Sequence, residues 1–221
     1  MAEELMVQEL MAQELGTAAV RAMLVLVCTR MIENTDRLTS ADQAVGDGDH
    51  GIGMRRGFTA ARDKLAETEP ATAADAFKAV GTAVMSQTGG ASGAVFGTLY
   101  RSGATACSGT ALDAAAFLAF LDQGLAAVQK RGGAMPGAKT MIDALAPAAE
   151  AARAAQADGL AAMMQAASAA AQDGVEASRA MIATTGKARA LGERSLGHPD
   201  PGAISMQIQL AAMREFISTQ G

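Results

Sequence analysis

The chain has 221 residues, which fits a single domain (residues 1–221), and half of its residues are apolar although only 3% are aromatic. Its formal charge of −5 excludes a nucleic-acid surface, which needs a basic face, and Cys28 and Cys107 are too few for a disulfide framework or a zinc site. No apolar stretch is long enough to span a membrane and the acidic N-terminus does not resemble a signal peptide, so we expect a cytoplasmic protein.

Helical segments separated by Gly- and Pro-bearing breaks are predicted along almost the whole chain. Ala, Leu and Met favour helices, and no strand-like alternation stands out. A capping box at Thr72 and Asp75 marks the start of one helix. The predicted helices cover residues 5–36, 51–68, 73–87, 92–107, 113–131, 140–156, 159–184 and 202–219. We therefore expect an all-α fold, an antiparallel bundle or barrel of about eight helices.

Glycine-rich breaks interrupt this helical background at residues 46–53, 89–93, 132–137 and 192–202. Glycine is costly inside helices, so such clusters mark turns or places where the backbone closely approaches another group. The break at 89–93 precedes an apolar helical run, and its backbone N–H groups can hold a phosphate at the helix N-terminus. Functional residues are expected in these loops.

An acidic loop is the most informative stretch of the sequence. Asp42, Asp47 and Asp49 lie within eight residues, with glycines between them that let the chain fold back. Asp42 is expected near the end of one helix, and the other two on the turn that follows it. Magnesium prefers carboxylate and phosphate oxygens, so the three side chains form a candidate magnesium site. The alternative is an exposed acidic turn in front of a helix N-terminus.

Three more familiar patterns do not fit the glycine-rich loops. Residues 46–51 match the spacing of a dinucleotide fingerprint, but carboxylates stand at two variable positions and no strand precedes them. A calcium loop starting at Asp47 would have Ile52 where glycine is needed. Residues 132–140 approach a phosphate loop, but Ala138 interrupts the pattern. With these three patterns dismissed, the remaining interpretation of the loops is a site that binds a nucleotide through metal ions.

Several ordered motifs resemble those of the DhaL subunit family of dihydroxyacetone kinases and its counterpart domain in single-chain kinases. The resemblance covers nearly the whole chain, and the motifs follow one another in the expected order. They are Asn34-x-Asp36-x-Leu38-Thr39, Asp42, Gly46-Asp-Gly-Asp-His-Gly51, Arg56-Gly57-Phe58, Gly89-Gly-Ala-Ser-Gly93, Lys139-Thr-Met141 with Asp143, Gly192-Glu-Arg-Ser-Leu-Gly-His198 and Asp200-Pro-Gly202.

The resemblance implies an eight-helix antiparallel barrel with ADP or ATP bound at one end. It also implies that Asp42, Asp47 and Asp49 hold two Mg²⁺ ions that bridge to the phosphates. By position, the residues expected around the nucleotide are His50, Gly51, Ile52, Gly53, Ala91, Ser92, Gly132, Met141, Lys187, Asp200, Pro201 and Gly202. No catalytic side chain is implied, because phosphoryl transfer depends chiefly on positioning and charge neutralisation.

The family's ketose substrate is held by a separate DhaK-type subunit, so the resemblance implies such a partner. One branch of the family keeps ADP as a bound cofactor that a phosphotransferase-system protein of the DhaM type rephosphorylates, and a stand-alone subunit favours this branch. The other branch uses ATP as an ordinary substrate to phosphorylate dihydroxyacetone or a ketose such as erythrulose. A nucleotide-loaded regulatory module and a lipid-binding helical barrel, which the 14 methionines suggest, are the remaining alternatives.

Three positions depart from the family's usual residues. Gly53 stands where Asn is usual, Lys187 where Arg is usual, and Ala138 where Asp is usual. Arg forms two parallel hydrogen bonds where Lys supplies a point charge, so the change at Lys187 bears on phosphate recognition.

Overall fold

The computed structural model describes residues 14–105, 107 and 111–220. In this part of the chain the α-helices are α1 (Thr17–Glu33), α2 (Thr35–Val45), α3 (His50–Glu67), α4 (Ala73–Gln87), α5 (Gly90–Ala104), α6 (Ala114–Gly132), α7 (Ile142–Ala154), α8 (Leu160–Ala177) and α9 (Pro201–Ser218). Short 3₁₀ segments cover Gln156–Asp158, Ser178–Ala180 and Lys187–Ser195. The all-α prediction is confirmed, with one small addition: strands β1 (Glu14–Gly16) and β2 (Ala111–Asp113) pair antiparallel.

Eight of these helices close a ring. From α3 to α9 each helix packs against the next one along the chain, and α1 packs against both α3 and α9. The remaining helix, α2, packs against α3, α9 and the 3₁₀ segment Lys187–Ser195. The predicted barrel of about eight helices is therefore confirmed. Helix α2 is an additional element that the predicted helix ranges did not include, although Asp42 was expected near the end of a helix. None of the described helices is both long and apolar enough to cross a membrane.

The first predicted helix, residues 5–36, is wrong at its start, and the observed helix ends three residues earlier than predicted. Its residues 5–13 lie outside the described residues, and the central leucine of Glu14–Gly16 is buried between exposed neighbours, as in a strand. At the other end α1 stops before Asn34, whose side-chain amide donates to the Arg30 carbonyl oxygen at 2.8 Å. Such a local side-chain bond competes with the helical backbone pattern.

The other predicted helices begin and end within three residues of the observed ones, except that the helix predicted for 159–184 ends at Ala177. There the Ser178 hydroxyl donates to the Val175 carbonyl oxygen at 2.6 Å, and the chain tightens into a 3₁₀ turn. The predicted capping box is present, because Thr72 Oγ1 accepts the Asp75 N–H at 3.0 Å.

An aromatic cluster fills the middle of the ring. Phe58, Phe77 and Phe120 surround the fully buried Tyr100, and the rings of Phe77 and Phe120 have centroids 4.7 Å apart. The Tyr100 hydroxyl donates to Gln209 Oε1 at 2.9 Å, so the one polar tip in the cluster is satisfied. The cluster ties α3, α4, α5, α6 and α9 together below the loops that carry the candidate site.

Candidate functional site

The three loop aspartates converge as the sequence predicts. Asp42 lies in the last turns of α2, and Asp47 and Asp49 lie in the loop that leads into α3. One carboxylate oxygen from each lies within 4.8 Å of those of the other two. One oxygen of the Asp42 carboxylate, Oδ2, accepts the backbone N–H of His50 at 3.1 Å, which restrains its position.

Two glycines allow this close approach. A Cβ atom at Gly46 would lie 2.5 Å from Asp42 Oδ1, and one at Gly51 would lie 2.3 Å from the Thr35 carbonyl oxygen. A side chain at Gly46 would displace the Asp42 carboxylate, and a side chain at Gly51 would push the start of α3 away from α2. The glycine spacing in the sequence therefore reflects helix packing as well as loop flexibility.

Lys187 contacts the acidic loop, although it lies 140 residues after Asp47 in the sequence. Its ammonium donates to Asp47 Oδ2 at 2.5 Å and to Asp49 Oδ2 at 2.9 Å. The hydrogen bond from Lys187 lowers the pKa of Asp47, and the bonds to the two carboxylates raise the pKa of Lys187 above its usual value.

His50, the first residue of α3, contacts side chains near the N-terminal ends of two other helices. Its Nδ1 lies 2.9 Å from Ser92 Oγ in α5, and its Nε2 lies 2.8 Å from Ser205 Oγ in α9. Burial lowers the pKa of His50, and the neighbouring carboxylates of Asp42 and Asp49 offset this only in part. A neutral ring donates through one nitrogen and accepts through the other, so the imidazole holds both serines.

A cleft of about 480 Å³ opens beside the carboxylates. The N-termini of α3, α5, α7 and α9 all border it, and each helix N-terminus carries partial positive charge and free N–H groups that favour anions. Ile52, Val95, Phe96, Val128 and Ile142 add an apolar wall. The cleft thus combines a carboxylate cluster, anion-binding helix ends and an apolar surface.

The structure brings together nearly all of the residues predicted for the site. The predicted residues that line the cleft are Asp42, Asp49, His50, Ile52, Gly53, Ala91, Ser92, Gly132, Met141, Lys187, Asp200, Pro201 and Gly202. Asp47 stands outside the cleft lining but within the carboxylate cluster. Gly51 does not line the cleft, because it faces Thr35 and Thr39 inside the α2–α3 contact.

Sequence reasoning did not assign several other lining residues. Arg56 donates to the Thr88 carbonyl oxygen at 2.8 Å and so holds the turn before α5 against α3. Thr185 and Gly186 border the cleft from the segment that leads to Lys187. The motif Arg56-Gly57-Phe58 was a signal for Arg56, but nothing in the sequence connects Thr185 with the cleft.

Lys139 also lines the cleft, although it was not among the residues predicted to surround the nucleotide. It is 2% exposed, and its ammonium donates at 2.6 Å to the carbonyl oxygens of both Ser178 and His198. Burial lowers its pKa, although the carboxylates of Asp200 and Asp143 act in the opposite direction. Lys139 therefore closes the base of the loop formed by residues 179–197, which we call the strap.

The turn that presents Lys139 is held by Asp143. The Asp143 carboxylate accepts the backbone N–H of Gly137 at 2.5 Å and that of Thr140 at 2.7 Å. Lys139 has a φ of +60°, a conformation that is unfavourable for residues other than glycine, and these two bonds stabilise it. The motif that places Asp143 four residues after Lys139 therefore reflects this turn, because the Asp143 carboxylate binds N–H groups on both sides of Lys139.

Besides Lys187, the other two departures from the family pattern, Gly53 and Ala138, also have a local structural setting. A Cβ atom at Gly53 would lie 2.9 Å from the Thr88 carbonyl oxygen, so α3 and the turn before α5 approach more closely than a side chain permits. Ala138 is buried, and its carbonyl oxygen accepts the Thr184 N–H at 3.2 Å, which attaches the strap to the Lys139 turn.

Asp200 caps the last helix. Its Oδ2 accepts the Ala203 N–H at 2.7 Å, and its own N–H donates to Ser178 Oγ at 2.9 Å. Burial raises the pKa of Asp200 from 3.8 to about 7, against the opposing effect of its bond to Ala203. The folded protein therefore retains a proton here that the unfolded chain has released.

We expect Asp200 to make stability fall as the pH rises. Since the folded protein binds more protons than the unfolded chain between pH 3.8 and about 7, the free energy of unfolding decreases across that window, with a slope of up to about 1.4 kcal/mol per pH unit. Asp200→Asn keeps a good capping residue and removes this titration. Urea unfolding of the nucleotide-free protein at several pH values should show the wild type losing stability relative to the variant; parallel pH profiles would contradict the assignment.

Comparison with known proteins places the chain in a family. A family model described as the DAK2 domain matches residues 44–215. The ADP-binding subunit DhaL of PEP-dependent dihydroxyacetone kinase 1 from Listeria innocua is 39% identical over 184 residues, 83% of this chain and 88% of the relative. The DhaL subunit from Escherichia coli is 35% identical over 179 residues, 80% of this chain and 85% of the relative. The L-erythrulose 1-kinase of Mycolicibacterium smegmatis is 35% identical over 191 residues, but these are only 33% of its length.

Solved structures agree with this result. The dihydroxyacetone kinase of C. freundii superposes with a TM-score of 0.72 at 29% identity, over 92% of this chain and 35% of the kinase chain. The same kinase in complex with AMP-PNP and Mg²⁺ gives a TM-score of 0.70 at 27% identity, over 92% of this chain and 34% of the kinase chain. The chain thus spans about a third of the kinase chains to which its fold is similar.

The ring of eight helices, with a carboxylate cluster and four helix N-termini at one cleft, defines a class of helical domains suited to bind a metal-associated anion. Within that class, the chain belongs to the DAK2 domain family, since the family model covers residues 44–215 and full-length relatives exceed 30% identity. The resemblance found in the sequence motifs is confirmed.

Proposed function

We propose that this chain is the nucleotide-binding subunit of a ketose kinase, holding ADP or ATP through magnesium and passing a phosphoryl group to dihydroxyacetone or a related ketose on another subunit. The observation that carries the proposal is the meeting of Asp42, Asp47 and Asp49 with four helix N-termini at one cleft. Carboxylates bind the cations, and helix N-termini bind the phosphates. Neither feature alone would require a polyphosphate, but together they match one.

The donor set fits a divalent cation such as Mg²⁺. The carboxylates offer only oxygen ligands, which hard cations prefer, and these oxygens lie within 4.8 Å of one another. Two of the three already bind a cationic group, the Lys187 ammonium. When bound, two such ions would neutralise the charge of the polyphosphate and orient its terminal phosphoryl group.

The chain's own residues would bind and orient the nucleotide. The N–H groups at the start of α5, beside Ala91 and Ser92, would face the phosphates, and neutral His50 would keep Ser92 and Ser205 in place. The proposed nucleotide-binding residues are His50, Ile52, Gly53, Ala91, Ser92, Gly132, Met141, Lys187, Asp200, Pro201 and Gly202. Gly51 would act by letting α2 and α3 pack closely.

The names of the relatives bear on the phosphoryl donor and the partner. Those of similar length are called ADP-binding subunits of PEP-dependent or PTS-dependent dihydroxyacetone kinases. We therefore propose that the whole chain, residues 1–221, acts as one cytoplasmic domain with a DhaK-type substrate-binding subunit and a DhaM-type phosphoryl donor. A second candidate is an ATP-dependent kinase for a ketose such as erythrulose, because the L-erythrulose 1-kinase is 35% identical over 84% of this chain.

The proposal is tested by identifying the nucleotide that the protein carries. The wild type and Asp47→Ala are purified without added nucleotide and denatured, and the released nucleotide is identified by chromatography. Near-stoichiometric ADP in the wild type alone would support the cofactor function. An empty protein that binds Mg-ATP reversibly would favour the ATP-dependent kinase. Absence of nucleotide binding with magnesium present would reject both, and would favour a lipid-binding function over a nucleotide-loaded regulatory module.

A further inference from the structure

The Lys187 ammonium binds two of the three carboxylates of the acidic loop. It donates to Asp47 at 2.5 Å and to Asp49 at 2.9 Å, and these carboxylates belong to the cluster that we propose as the metal site. In the part of the chain that the structure describes, the Lys187 side chain has no other polar contact. Its position is therefore set by the same two carboxylates that a metal ion would need.

An ammonium group and a dication compete for these carboxylates, because the Lys187 N–H groups already occupy lone pairs of Asp47 Oδ2 and Asp49 Oδ2. Mg²⁺ demands near-octahedral geometry with oxygens at about 2.0–2.1 Å, which requires carboxylate lone pairs that now accept the Lys187 N–H groups. The two cations would also repel each other at close range. Binding of one at Asp47 and Asp49 thus weakens binding of the other.

Release of Lys187 requires movement of the side chain alone. The strap that carries it is fixed at its base, since Lys139 binds the carbonyl oxygens of Ser178 and His198. Within the strap, Ser195 Oγ accepts the Ala183 N–H at 3.0 Å. The Lys187 side chain itself is 58% exposed, and its flexible four-carbon stem lets the ammonium swing while the backbone stays in place.

We infer that the Lys187 ammonium competes with the metal ion for Asp47 and Asp49. This competition couples metal binding to nucleotide binding. Without a nucleotide, the ammonium neutralises Asp47 and Asp49 and weakens their affinity for a dication. A polyphosphate in the cleft offers the ammonium another anionic partner, because Lys187 lines that cleft. Metal and nucleotide then bind with positive cooperativity, as linkage requires. The inference rests on the proposed function, since it assumes that the acidic loop holds a divalent cation.

The test is a titration with Mn²⁺, whose free ion is counted by electron paramagnetic resonance, on the nucleotide-stripped protein. We expect Lys187→Met to bind Mn²⁺ more tightly than the wild type, by roughly 5- to 150-fold, the range of typical coupling energies. Added ADP should raise the Mn²⁺ affinity of the wild type more than that of the variant. A misfolded variant would bind Mn²⁺ more weakly. Tighter Mn²⁺ binding by Lys187→Met would therefore distinguish loss of the competing ammonium from loss of the fold.

Arg189→Met is the matched control, since this exposed residue lies in the same 3₁₀ segment and forms no ion pair with any described carboxylate. It should leave Mn²⁺ affinity unchanged. Equal or weaker Mn²⁺ binding by Lys187→Met, with the wild type still binding Mn²⁺ and ADP, would overturn the inference and leave the proposed function intact. Absence of Mn²⁺ binding in all proteins, with and without ADP, would overturn the proposed metal site and the inference with it.

Discussion

Asp49→Asn is expected to weaken the binding of Mg-ADP by at least about 100-fold, because it removes one of the three charged ligands of the proposed metal site. The substitution keeps the shape of the side chain. Although Asp49 directly precedes α3, its carboxylate does not cap the helix, and it is 72% exposed, so the fold should be unaffected. Calorimetric titration of the stripped protein with ADP at fixed magnesium measures the change.

Asp36→Asn serves as the control for this experiment. Asp36 is an exposed carboxylate in the first turn of α2, outside the acidic cluster, and its replacement should leave the affinity for Mg-ADP within twofold of the wild type, an effect of about 0.4 kcal/mol. Should Asp49→Asn bind Mg-ADP as tightly as Asp36→Asn, the acidic loop would not be the metal site.

Lys139→Met is expected to lower the free energy of unfolding by about 3 kcal/mol. Methionine matches the length of the lysine stem but donates no hydrogen bond, so the carbonyl oxygens of Ser178 and His198 lose a charged donor in a buried place. The base of the strap should open as a result. Urea unfolding measures the stability, and limited proteolysis should show faster cleavage within residues 179–197.

Lys130→Met provides the comparison, since Lys130 is an exposed lysine near the end of α6. Its effect should remain within about 0.5 kcal/mol, as for most surface substitutions. If both variants unfold at the same urea concentration and the strap is cleaved at the wild-type rate, Lys139 does not hold the strap.

Features that depend on neighbours in sequence were predictable. The helices from α3 onward were found from composition and from breaks, and the capping box at Thr72 and the acidic loop were found from local spacing. The start of α1 was not, because the strand that precedes it is three residues long and is stabilised by pairing with β2, nearly a hundred residues away. A strand so short leaves no periodic pattern in the sequence.

Features that depend on how the helices meet could not be predicted. His50 and Ser205 are 155 residues apart, and Lys139 lies 59 residues from His198, so no local pattern joins them. The motifs placed Lys139 near the site but did not indicate that it would hold a loop. Likewise, the family resemblance predicted that Lys187 surrounds the nucleotide, whereas its contacts with Asp47 and Asp49 follow only from the packing of the strap against α2.

Closure of the helical ring sets an order for folding during synthesis. Helices α1 and α9 pack against each other, and Arg30 binds Glu215 across 185 residues, so this contact closes a very long loop. A nascent chain that has emerged only as far as α8 leaves uncovered the apolar side of α1 that α9 buries. Asp200, Pro201 and Gly202 arrive with α9, and Ser205 then reaches His50. The cleft is therefore completed last, after seven of the eight ring helices have already been made.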